Sequence, residues 1–190
     1  MNIGVSTASF YPLETEAALE ELGKAGVKYT EIFFNALSEL KPAFIDILED
    51  ILDNYGMKVT SVHPTMSLAE SFMIFSSYER RYYEAEEQYR RYSEIAARFG
   101  AKYIIMHGGK PNGLTTDEEY CERYMRLKEA TRENGVAVLQ ENAITKSSTP
   151  ASFPAFASLK SFFSLILKYA ASQLFNNMGR TLFFHLPRTI

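Results

Sequence analysis

Four short segments of the chain repeat one plan: GVKYTEIFF from Gly26, GMKVTSVHP from Gly56, GAKYIIMHGG from Gly100 and GVAVLQENA from Gly135. Each opens on glycine, continues through a run rich in Val, Ile and Tyr, and reaches a polar or ionisable residue. The glycine suits the left-handed position that stops a helix. The apolar run suits a strand buried on both faces. Helical patterns precede each segment, over about 14–25, 42–55, 78–99 and 117–133. Residues 42–55 set Phe44, Ile47, Leu48, Ile51 and Tyr55 on one stripe, and residues 78–99 set Tyr82, Ala85, Tyr89, Tyr92, Ala96 and Phe99 at three-to-four spacing. Thr115 or Thr116, with Glu118 or Glu119 three residues on, carries the capping-box signature of a helix start.

With Ile3 to Ser6 as a first strand, the order is β-α-β-α-β-α-β-α-β. Strands alternating with helices imply a parallel sheet with right-handed connections. A doubly wound open sheet and a (β/α) barrel both satisfy that order. VSTASFYP follows the first strand where a dinucleotide fold would carry its glycine-rich phosphate loop, which weighs against that fold.

The pattern stops near residue 143, and so does the composition. All 23 acidic residues lie in residues 1–141, where 15 Lys and Arg leave a net −8. Residues 142–190 hold five basic residues, no Asp or Glu, and seven of the 14 Phe. We therefore read residues 1–143 as one α/β segment and residues 144–190 as an atypical Phe- and Ser-rich tail. Four origins or roles fit the tail: a shifted reading frame or truncated gene, a disordered segment, a helix lying on a membrane surface, or a helix covering the open side of the sheet. Uncovered strand edges favour self-association.

The remaining composition excludes function classes. The chain's net charge of −3 is wrong for a protein that neutralises nucleic-acid phosphates. One cysteine, Cys121, rules out an internal disulfide framework and suits a reducing compartment; on the apolar side of a helix it reads as structural. MNIGVSTASF carries no basic, apolar leader, and no run of about 18 uncharged apolar residues exists, so we expect a cytoplasmic protein with no membrane partner.

Chemistry in parallel α/β folds sits at the C-terminal ends of the strands. The repeat sets Glu31, His63, His107 and Glu141 there, at offsets of five, seven, seven and six from their glycines. Imidazoles and a carboxylate converging from neighbouring strands make a divalent-metal site, so His63, His107 and Glu141 are the candidate ligands, for Mn, Mg, Co or Zn. Glu31 is a candidate fourth polar residue, or a surface or capping one. Asn142 orients Glu141, binds substrate or makes a turn. Gly108 and Gly109 let the backbone approach a ligand or form a turn. Gln140 faces away from Glu141 by strand alternation.

SVHP, YIIMHGG and QENA in that order, after MNIGVSTASF and TEIFF, resemble the xylose-isomerase-like TIM-barrel superfamily over roughly residues 1–143. Its branches include sugar phosphate isomerases and epimerases and apurinic-site endonucleases. The resemblance implies that Glu141 is the carboxylate ligand ending strand five and a proton-transferring catalytic residue. It implies that His63 and His107 bind zinc in the endonuclease branch and line the substrate pocket in the sugar branch, and that Glu31 matches an acidic residue ending strand two in many members; Glu31, His63, His107 and Asn142 are the candidates for binding substrate. The implied activity is metal-assisted proton transfer on a sugar or sugar phosphate. A DNA repair nuclease and a non-catalytic remnant are the alternatives. A full barrel of this family has eight βα units and brings further Asp and Glu from its later strands. Only five are legible here, and residues 142–190 have no acid, so the metal site is expected to be incomplete and the chain impaired.

Overall fold

The computed structural model describes residues 3–64, 67–109, 115–141 and 182–183. Five strands run in the expected order: β1 (Ile3–Ser6), β2 (Tyr29–Phe33), β3 (Lys58–His63), β4 (Tyr103–Met106) and β5 (Ala137–Gln140). Helices α1 (Thr15–Lys24), α2 (Pro42–Tyr55), α4 (Glu79–Arg98) and α5 (Asp117–Arg132) alternate with them. A further short helix, α3 (Ser67–Ile74), lies between β3 and α4 and has no counterpart in the sequence reading. A two-residue strand, β6 (Leu182–Phe183), completes a sheet ordered β5-β4-β3-β2-β1-β6, and every pairing is parallel. Sequential parallel neighbours with helical crossovers are the rising half of a TIM barrel. Asn142, and the readings of the tail apart from Leu182–Phe183, lie outside the described residues.

The four repeat glycines do what the repeat requires: Gly26, Gly56, Gly100 and Gly135 all have positive φ, between 59° and 78°. Three of them close their helices with the same long-reach bond, Val27 N–H to Leu22 O, Met57 N–H to Leu52 O and Ala101 N–H to Ala96 O, at 2.8–3.1 Å. That bond consumes a carbonyl left over at the helix end and turns the chain straight into the next strand. Thr116 and Glu119 form the expected capping box at the start of α5, exchanging bonds of 3.2 and 2.9 Å.

Register sorts the strand residues onto two sides. Ile32 pairs with Val62, Val62 with Ile104, and Ile104 with Val138. These four, with Met106, face the helices and are fully buried. Tyr103, Ile105, Ala137 and Leu139 face the inner side and are only half-buried, while Glu31, Ser61 and His63 are buried there. The expectation of strands buried on both faces is thus met by β2 and β3, whereas β4 and β5 are buried on the helix side and only half-buried on the inner side. A second correction concerns α2, whose buried stripe is Ile45, Leu48, Ile51 and Leu52. Ile47 is 48% exposed and Phe44 sits at the stripe's edge, since the stripe is rotated by one residue from the one expected.

Helices α1 and α2 meet where the Tyr55 ring occupies the space a Cβ on Gly23 would need. Gly23→Ala should therefore lower stability by about 1–3 kcal/mol through overpacking, against the ~1 kcal/mol that helix propensity alone would return. Urea unfolding of the variant reads the sign.

Candidate functional site

β3, β4 and β5 lie side by side in parallel register, so residues at or just beyond their C-terminal ends come together. The Nε2 atoms of His63 and His107 lie 3.6 and 3.3 Å from the same carboxylate oxygen, Oε2 of Glu141. One ligand-capable atom from each of the three falls within 4.8 Å of the others. The Glu141 backbone N–H donates to Met106 O at 2.8 Å, continuing the β4–β5 ladder by one residue and fixing where its side chain starts.

The rings are held from behind. His63 stacks on Phe33 with centroids 4.4 Å apart and meets His107 edge-on at 4.5 Å. Its Nδ1 lies 3.4 Å from the Pro64 carbonyl, an acceptor only, so the proton belongs on Nδ1. His107 Nδ1 faces Oε2 of Glu70 at 3.1 Å, and the His107 backbone N–H donates to the same oxygen at 3.0 Å. Both rings therefore carry hydrogen on the outward nitrogen and direct an Nε2 lone pair inward. Two imidazole nitrogens and a carboxylate turned toward one point are a ligand set that a divalent cation fits. The side chain of Glu141 is 40% exposed, against 5% for His63 and 17% for His107, so the cluster opens to solvent on the Glu141 side.

Glu31 stands on the same inner face, buried on β2, where it accepts the Ser61 hydroxyl at 2.8 Å. It is outside the three-residue cluster, yet near enough for its charge to act on His107. Gln140 faces the helices, as alternation predicts, and accepts the Tyr120 hydroxyl at 2.7 Å. Gly109 has a steric role: an added Cβ would lie 3.1–3.4 Å from the rings of Tyr120 and Phe75, which are themselves stacked at 4.3 Å. Cys121 is buried, and that burial pushes its thiol up to about 11, out of nucleophile range.

Two residues of the site escaped the sequence reading. Glu70 comes from α3, and Tyr89 from α4 donates its hydroxyl to the other oxygen of Glu70. Burial, reinforced by the Glu70 charge, pushes the Tyr89 phenol far up and keeps it a donor. The one available signal was that Glu70 is the single ionisable residue in SLAESFMI. A cavity of about 300 Å³, lined among others by Leu37, Pro64, Met73 and Tyr92, also reaches Glu70, the carboxylate that holds His107.

The family described as xylose isomerase-like TIM barrel matches the chain over residues 19–165. Among solved structures, a D-tagatose 3-epimerase-like protein is 20% identical with a TM-score of 0.62, over 75% of this chain and 53% of its own. A D-allulose 3-epimerase from Methylomonas sp., in complex with D-allulose, is 17% identical with a TM-score of 0.60, over 83% and 58%. An AP endonuclease, family 2, from Brucella melitensis is 12% identical with a TM-score of 0.57, over 73% and 54%. These likenesses are of fold, and the chain spans little more than half the length of each. No curated protein sequence matches it.

Burial by itself would pull the His107 imidazole down, but the Glu70 hydrogen bond and the charges of Glu70, Glu141 and Glu31 outweigh it and hold the group above its ordinary 6.5. In metal-free protein this stabilises the fold fully below the unfolded value, and the contribution is lost as pH rises through the higher folded value. The stability difference between wild type and His107→Gln should therefore be larger at about pH 6 than at about pH 9, as measured by denaturant unfolding at the two pH values.

Proposed function

The chain belongs to the xylose isomerase-like TIM-barrel family, and from that premise we propose that His63, His107 and Glu141 hold a divalent metal ion in a site for a sugar or sugar phosphate. The observation that carries the reading is the approach of both Nε2 atoms to one oxygen of Glu141. When bound, such an ion supplies Lewis-acid polarisation of a substrate carbonyl or hydroxyl oxygen.

The protein's own part follows from exposure. Glu141 is the member of the cluster open to the inner face, so it is the group that takes a carbon-bound proton from a substrate lying there. Glu31, held by Ser61, offers a hydrogen-bond acceptor for a sugar hydroxyl on the same face. Asn142, next in sequence to Glu141, belongs to the substrate side of this reading. Isomerisation or epimerisation needs a second acid to return the proton. Within residues 142–190, where the later strands of a family barrel bring theirs, there is no Asp or Glu. We therefore assign metal and sugar binding to this chain, and turnover to a barrel completed by further carboxylates.

A nuclease reading draws on the same cluster, because two His and a Glu suit zinc. The net −8 of residues 1–141 opposes it, since a phosphate backbone would meet repulsion over the whole barrel segment.

Calorimetric titration with Mn²⁺ or Zn²⁺ tests the assignment. One ion per chain is expected, with affinity falling more than about 100-fold in His63→Ala, His107→Ala and Glu141→Ala, a larger loss than for an outer partner. Unchanged binding in those variants rejects the metal site. Epimerisation of D-tagatose or D-allulose by the chain alone rejects the missing acid, and cleavage of apurinic-site DNA favours the nuclease.

A further inference from the structure

Glu70 is a carboxylate buried where a barrel has no structural need of one. It sits on α3, outside the sheet, 8% exposed, and among the described residues its ion-pair partner is His107 rather than any Lys or Arg. A charge in such surroundings is costly unless its lone pairs are satisfied. Here they are satisfied with economy. Oε2 accepts both the backbone N–H and the Nδ1–H of His107, at 3.0 and 3.1 Å, and Oε1 accepts the Tyr89 hydroxyl. The two bonds to His107 come from one residue, so they fix its ring relative to its own backbone. A carboxylate oxygen only accepts, so the bond at Nδ1 also fixes which ring nitrogen carries the hydrogen. The opposite nitrogen is left as a lone pair 3.3 Å from Glu141.

We propose that Glu70 is a positioning residue of this site: it locks His107 in the Nδ1–H form with Nε2 turned toward Glu141, and Tyr89 holds Glu70 in place to do so. The consequence for metal affinity rests on the metal reading above; the tautomer does not, since it belongs to the chain without an ion. Glu70 acts through His107 and touches no reacting atom. The link also joins the 300 Å³ cavity to the site, because the carboxylate that lines the one holds the ring of the other.

The test is nitrogen-15 correlation spectroscopy of the imidazoles in metal-free protein at about pH 9, well above the ordinary imidazole value of about 6.5, alongside Mn²⁺ or Zn²⁺ titration. Wild type should show His107 protonated at Nδ1. Glu70→Leu should move the proton to Nε2 or mix the two forms, and weaken metal binding about 10–100-fold. Glu70→Gln, whose carboxamide oxygen still accepts from Nδ1, should keep the wild-type tautomer and lose under about tenfold. Tyr89→Phe should leave the tautomer mixed. A wild-type His107 protonated at Nε2 overturns the proposal without any variant, and so does Glu70→Leu with wild-type tautomer and affinity. If wild type binds no metal yet shows the Nδ1–H form, and Glu70→Leu loses it, the metal reading fails and the positioning role stands.

Discussion

Each crossover in this chain depends on one backbone device: a glycine with positive φ placed one residue before an apolar run. It ends the helix and launches the next strand from a fixed point, and after Gly26, Gly56 and Gly100 the following N–H also captures the carbonyl five residues back. Because the launch point is the same each time, the strands leave their helices alike, and parallel register follows. Register in turn decides which residues reach the rim. His63, His107 and Glu141 meet because three neighbouring strands, started in the same way, end within a residue of one another. A side chain at any of these glycines would strain the φ that the device needs.

The cluster gathers three ligand atoms within 4.8 Å of one another. Its outward nitrogens are pinned by Pro64 and Glu70, the two Nε2 atoms face Oε2 of Glu141, and Phe33 stacks on His63. At low pH a proton on His107 partly offsets that crowding, in keeping with the raised imidazole. Proton and cation then compete for the same donors, so the arrangement that favours metal at high pH favours imidazolium at low pH.

The elements with strong period were legible from residues alone. Helices α2, α4 and α5 fall within a residue or two of their expected ends, and the strand-end positions of His63, His107 and Glu141 followed from counting along the repeat. What the count could not supply was anything off the repeat. Helix α3 is eight residues of apolar sequence, too short for a period to declare itself, and Glu70 rides on it. Ile47 and Ile45 differ by two positions on one helix, and only the direction of approach of α1 and the sheet decides which is covered. Arg123 shows the same limit: it reads as one more charge on a helix, but it is buried and donates to the Ile74 and Ser76 carbonyls, clasping the end of α3.

Strand β6 bears on how such a sheet can grow. It lies against the outer edge of β1, the place where the last strand of a closed barrel would sit. With that flank taken, any strands recruited to finish the cylinder must join at β5 and advance in a single direction until they reach Leu182 and Phe183.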